Sequence, residues 1–148
     1  MHKPVIRTIG APDAGSWQAL WQGYLAFYET ALPADVTDAT WRRLLDPAEP
    51  LFGLVAERDG VLTGFAHCVL HRGTWSISQH CYLEDLYVAP DARGAGTGRA
   101  LIEAVYREAD RRGADRVYWL THETNGTARA LYDRIGRRSG FIHYTRPD

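Results

Sequence analysis

Between Leu83 and Ile102 the chain reads LEDLYVAPDARGAGTGRALI, a short strand pattern that turns through Gly94, Gly96 and Gly98 directly into an amphipathic helix. This run limits the chain to folds in which the end of a strand and the N-terminus of a helix meet in a tight, bare turn. Glycines at alternate positions leave a row of backbone N–H groups with no side chains above them. At the positive end of a helix dipole, such a row is a receptor for a phosphate-bearing ligand.

The rest of the sequence narrows the classes in which that receptor can sit. With 148 residues, 45% of them hydrophobic, the chain can build one substantial core. It shows no repeat and no linker, so residues 1–148 are expected to be a single domain. The formal net charge is −1 and no Lys/Arg run occurs, so neither nucleic acid nor a membrane surface is an expected partner. The sequence reads as lacking a signal peptide and any apolar run of membrane-spanning length. Cys68 and Cys81 lie in strand-like surroundings, which sets the expectation of reduced, buried thiols in a cytoplasmic protein. His67, His71, His80 and His122 are scattered without ligand spacing, so no metal is expected.

Periodicity gives the order of elements. Val5 to Ile9 reads as a strand, and Asp13 as the N-cap of a helix whose stripe is Trp17, Leu20, Trp21, Tyr24, Leu25 and Tyr28. Pro33 is expected to end that helix, with a shorter one over Asp38 to Leu45. Leu51 to Glu57 and Val61 to Leu70 read as strands around the Arg58-Asp59-Gly60 hairpin. His80 to Val88 is a further strand, and Ala100 to Arg112 a helix broken by Gly113. A strand over Arg116 to Thr121, a helix over Thr127 to Ile135 and a last strand over Ile142 to Thr145 complete the chain. The order β-α-α-β-β-β-α-β-α-β calls for an α+β (mixed α/β) fold, a mixed and largely antiparallel sheet with helices on both faces.

The glycine turn fits neither of two common phosphate loops. Arg99-Ala100 follows Gly98 where a P-loop needs lysine and a hydroxyl residue, and G-x-G-x-G lacks the third spacing of the dinucleotide fingerprint. It does satisfy R-x-x-G-x-G with Arg93, Gly96 and Gly98. Here, and in the downstream NGTARALY from Asn125 to Tyr132, the sequence resembles the GNAT superfamily of N-acetyltransferases. Spacings from Glu84 through both motifs, and Tyr28-Glu29 within LAFYE, are similar to those of small histone- and polyamine-type members.

The resemblance implies a function and a site. The fold would bind acetyl-CoA and pass its acetyl group to a primary amine of a small molecule, peptide or protein by direct attack in a ternary complex. The backbone of Leu86, Tyr87 and Val88 would pair with the pantetheine arm, and Gly94, Ala95, Gly96, Thr97, Gly98 and Arg99 would hold the diphosphate. Arg93 would aid that grip or brace the loop itself, and Asn125 and Ala128 would line the opposite side. Tyr28, Glu29 and Glu84 would meet the amine. Glu84 reads as a general base, as an amine-binding anion only, or as a solvated strand residue. Strict alternation would put it on one face with Tyr82, Leu86 and Val88, and Asp85 opposite, paired with an arginine. Tyr132 reads as the acid that protonates the leaving thiolate or as a core aromatic, with Tyr144 as a fallback donor. The short ending suggests that a second copy covers an exposed sheet edge, which makes a homodimer the expectation. A non-catalytic acyl-CoA-binding module on the same fold is the alternative, and a nucleotide-binding domain a third.

Overall fold

The structure, a computed structural model, describes residues 3–148. Its sheet runs in the order β1 (Val5–Thr8), β2 (Leu51–Arg58), β3 (Val61–Arg72), β4 (Gln79–Val88) and β5 (Ala114–Tyr118). The first four strands pair antiparallel, and β4 pairs parallel with β5 across the helix α3 (Thr97–Arg111). Helices α1 (Ala14–Phe27) and α2 (Ala34–Leu45) cover one face; α3 and α4 (Gly126–Ile135) cover the other. The expected α+β architecture with helices on both faces is therefore the observed one.

Strand alternation explains the two cores. Phe52, Leu54, Ala56, Ala66 and Cys68 point to Leu101, Ile102 and Val105 of α3. Val55 and Phe65 point instead to Trp17, Trp21 and Leu25 of α1, with Ile9 and Leu44. Asp59 (φ 52°) and Gly60 (φ 81°) make the hairpin turn, both central residues being left-handed as a type I′ turn requires. Cys68 and Cys81 are free thiols buried in the α3-side core.

Several local expectations need correction. Asp13 does not cap α1 with its side chain. Its carboxylate accepts from Arg7, at 2.8 and 2.9 Å, and from the Gly10 amide at 2.8 Å, tying β1 to the turn before α1. Pro33 does not end the first helix but precedes α2 at its N-cap. The first helix stops at Phe27, where Glu29 N–H reaches Ala26 O (3.0 Å) and Thr30 N–H reaches Leu25 O (2.9 Å). The last strand expected over Ile142 to Thr145 does not form: among the described residues no strand pairs with it, and Phe141, Ile142 and Tyr144 are exposed.

Candidate functional site

Adjacent strands part company at the middle of β4. Its pairing with β5 extends only from Gln79↔Ala114 to Tyr82↔Tyr118, whereas its pairing with β3 continues to Val88↔Gly64. The register against β3 also slips: His67 faces Asp85 while Cys68 faces Leu83, leaving Glu84 as the extra residue of a β-bulge. Strict alternation is thereby broken. Cys81, Leu83, Leu86 and Val88 pack toward α3, while Asp85 and Tyr87 sit on the α1 face. Glu84 thus parts from Leu86 and Val88, with which simple alternation had grouped it.

The bulge opens a gap beside β4, and the backbone directions there follow from one hydrogen bond. Ala89 N–H donates to Thr63 O of β3 at 2.8 Å. Peptide groups alternate sides along a strand, so Leu86 and Val88 turn theirs outward, into the gap. Arg93 Nε confirms the direction by donating to the outward Val88 carbonyl at 3.0 Å. Tyr87 belongs to the other set, its peptide groups facing β3 and its ring buried beneath α1.

Below the gap lies the glycine turn. Gly94 (φ 86°) and Gly96 (φ 78°) are left-handed, and the space where a Cβ would stand is open at both. Helix α3 begins at Thr97, three residues earlier than its apolar period suggests, and its ladder starts with Ala100 N–H to Gly96 O at 3.0 Å. The N–H groups of Thr97, Gly98 and Arg99 therefore belong to the first turn, where no intrahelical acceptor exists. Ala95 lies between the left-handed glycines, and the Thr97 side chain is buried. Both expected arginines are engaged with the protein: Arg99 Nε with Glu103 at 2.7 Å, and Arg93 with Val88 O, its guanidinium 5.7 Å from the Phe27 ring. The cradle is backbone, at the positive end of a helix, and a diphosphate fits it.

On the far side of the gap, Asn125 is the N-cap of α4 and accepts from Ala128 N–H at 3.4 Å. Tyr132, on the same helix, packs edge-on against Trp119 with ring centres 5.5 Å apart. Burial, and then the Tyr28 phenol, push its hydroxyl above the ordinary tyrosine value, so it keeps its proton at neutral pH.

Tyrosines ring the mouth of the gap. Tyr28 lies edge-on to Tyr24 at 5.0 Å and 6.2 Å from the His122 ring, bridging α1 to the segment after β5. Tyr82 and Tyr118 stack at 4.9 Å where β4 and β5 separate. Glu29 follows Tyr28 with φ 52°, a left-handed conformation usually given to glycine. Glu84 is exposed at the bulge; desolvation first, and the charge of Asp85 second, raise its carboxyl above the usual range.

Asp85 pairs with no arginine. It accepts from Tyr24 OH at 2.8 Å and bonds His67 Nδ1 at 2.9 Å, and His67 Nε2 in turn accepts from Trp17 Nε1 at 3.0 Å. Sequence reasoning missed this chain. Trp17 and Tyr24 stand on one helical stripe, seven residues apart, but nothing local marks His67 as their partner. Tyr144 is exposed on the C-terminal segment. Among the described residues no cluster of three or more His, Cys, Asp or Glu is placed to hold a metal.

Comparison with known proteins bears on the family and the fold. The model of the Acetyltransferase (GNAT) family matches residues 17–136. Over 144 residues, 96% of this chain and 89% of the relative, the sequence is 37% identical to D-amino-acid N-acetyltransferase HPA3 of Saccharomyces cerevisiae. It is 31% identical to the uncharacterized N-acetyltransferase YhfO of Bacillus subtilis over 94% of both chains. The solved structure of AAC(6')-Iy in complex with the bisubstrate analog CoA-S-monomethyl-acetylneamine is similar in fold, with TM-score 0.85 and 22% identity over 99% of each chain.

Proposed function

This chain belongs to the Acetyltransferase (GNAT) family, and from that premise we propose that it transfers the acetyl group of acetyl-CoA directly to the amine of a small cationic acceptor. The observation that carries the proposal is the parting of β4 from β5 directly above a bare, donor-rich glycine turn. A pantetheine arm can add to the outward peptide groups of Leu86 and Val88 as a strand would, with its diphosphate on the first turn of α3. Tyr87, Arg93, Asn125 and Ala128 then support the site from behind, since their polar groups or rings are already engaged within the protein. Arg99 is free to leave its exposed pair with Glu103 for a phosphate oxygen.

Three demands of acetyl transfer find residues here. The amine arrives as an ammonium and must lose a proton. Glu84, with its raised carboxyl, takes that proton directly or through water. Negative charge on the thioester oxygen is met by the outward Val88 N–H. The departing thiolate is protonated by the Tyr132 phenol. No covalent enzyme intermediate is needed, because donor and acceptor meet within one complex.

The acceptor we propose is a compact amine. Tyr24, Tyr28, Tyr82, Tyr118 and Glu84 make an aromatic and anionic mouth suited to an ammonium group. The amino-acid-acetylating relative supports an amino acid, and Glu29 beside Tyr28 supports a second positive charge, as in a polyamine. A panel of D- and L-amino acids, polyamines, aminoglycosides and basic peptides, read by release of free CoA thiol, tests the reading. Acetyl-CoA binding without acetylation of any amine would assign the chain instead to non-catalytic acyl-CoA sensing.

The oligomer belongs to the same proposal. The outer edge of β5 and the exposed Phe141, Ile142 and Tyr144 support a homodimer, which sedimentation equilibrium reads directly. Among the described residues no helix is long and apolar enough to cross a membrane, and we place the reaction in the cytoplasm.

A further inference from the structure

Behind the mouth of the cleft, the chain Trp17–His67–Asp85–Tyr24 links α1 to β3 and β4 through bonds of 3.0, 2.9 and 2.8 Å. Trp17 and His67 are buried, and the Asp85 side chain is 15% exposed. An indole N–H only donates, so His67 Nε2 must accept, and the single ring proton sits on Nδ1, aimed at Asp85. The tyrosine hydroxyl donates to the other oxygen. Both carboxylate oxygens of Asp85 are therefore acceptors, fixed from two sides.

Position gives the chain its purpose. Asp85 directly follows Glu84, the extra residue of the bulge, and His67↔Asp85 is the register pair at which the slip occurs. The hydrogen bond between them locks the register slip in place. A bulge left to itself has an ordinary ladder as a nearby alternative, and sliding back would return Glu84 to the alternation that faces α3.

We infer that Asp85 is a positioning residue for Glu84: anchored by His67 and Tyr24, it holds the bulge that turns Glu84 to the acceptor side and keeps a fixed negative charge beside it. The inference rests on the acetyl-transfer reading above. Other groups facing Glu84 are Tyr24 from α1, His67 from β3, Tyr82 beside it on β4 and Tyr118 from β5. The phenols are uncharged at neutral pH, their titration moved upward by burial in each case. The His67 ring is turned by the indole and the Asp85 carboxylate, which it meets with opposite nitrogens. Asp85 thus supplies the charge that strengthens the grip of Glu84 on a proton taken from the acceptor.

The test uses the full chain and its Asp85→Asn variant, in which the amide keeps the shape and the acceptor for His67 while the charge is removed. The acid limb of the pH profile of kcat/KM is first assigned to Glu84 by its loss in Glu84→Gln. In Asp85→Asn that limb moves to lower pH and kcat falls, while the Kd for CoA stays within about twofold. An unmoved limb, with CoA binding and circular dichroism intact, overturns the inference. Should Asp85→Asn fail to fold, nitrogen-15 NMR of the parent decides: the ring of His67 must carry its proton on Nδ1, toward Asp85, with Nε2 accepting from the indole. An Nε2–H tautomer, which would break the anchor to Asp85, overturns the inference. A parent protein that acetylates no amine refutes the functional reading itself, a result distinct from both.

Discussion

Replacing Gly98 with alanine separates what the fold needs from what a ligand needs. Gly98 lies in the first turn of α3 with an ordinary helical φ, so alanine meets no backbone strain there. An added Cβ would stand 3.5 Å from Leu131 Cδ2 and 4.0 Å from Val88 Cγ2, normal contact distances that require no movement. Exchanging glycine for alanine in a helix stabilises by about 0.5–1 kcal/mol, which in a domain of this size raises Tm by roughly 2–3 °C. Fold alone therefore favours alanine at this position. The methyl group, seated between Val88 on the edge of the gap and Leu131 of α4, is expected to crowd a diphosphate resting on the first-turn N–H groups, and losing one hydrogen bond to a charged group costs about 1.5–3 kcal/mol. CoA binding should weaken by roughly 10- to 150-fold. Thermal unfolding with and without CoA, together with calorimetric titration, reads both effects. A variant that gains stability and binds CoA as tightly as its parent refutes the backbone cradle.

Other consequences follow from single residues. Tyr132→Phe keeps the contact with Trp119 but removes the proton donor; kcat should fall roughly 100-fold with CoA affinity unchanged, and equal rates would remove Tyr132 from the chemistry. Glu29→Gly relieves a left-handed glutamate and should stabilise by about 1 kcal/mol, while acceptor KM rises for dicationic amines; an unchanged KM would make Glu29 a structural oddity. Asp13 is held below the usual carboxylate range, by Arg7 first and by the Gly10 amide, against the opposing cost of its burial. A depressed native value means that its stabilisation is complete above the unfolded value, about pH 4, and is lost as pH falls through the native one. Asp13→Asn should accordingly be less stable at neutral pH by about 1–3 kcal/mol and lose less stability on acidification, as Tm measured against pH will show.

What the sequence made legible was periodic or conformationally forced. Leu101, Ile102, Val105 and Ala109 repeat at helical spacing and are all buried, and the hairpin glycine and the two left-handed loop glycines sit where only backbone freedom explains them. Thr97-Gly98-Arg99 has no apolar period, so periodicity starts α3 three residues late, although nothing prevents that segment from being helical. Helix α1 ends without glycine, so Glu29 gave no stop signal and Pro33 took the credit. Ile142 to Thr145 has strand propensity but no neighbour to pair with, and propensity alone does not make a strand. The bulge at Glu84 left no mark because no residue type is required there. Its cause is the His67–Asp85 pairing, 18 residues apart in the chain, together with an indole 50 residues from the same histidine. Contacts of that range are products of the fold, so the site could be outlined from motifs while its electrostatics could not.

Amide hydrogen exchange on addition of saturating acetyl-CoA tests the central claim most directly, because it reads individual backbone groups. The account predicts slowed exchange at Leu86 and Val88 on the open edge of β4 and at Thr97, Gly98 and Arg99 in the first turn of α3, with the β2–β3 hairpin unaffected. Binding that leaves those five amides unchanged, or protects a different surface, would contradict it.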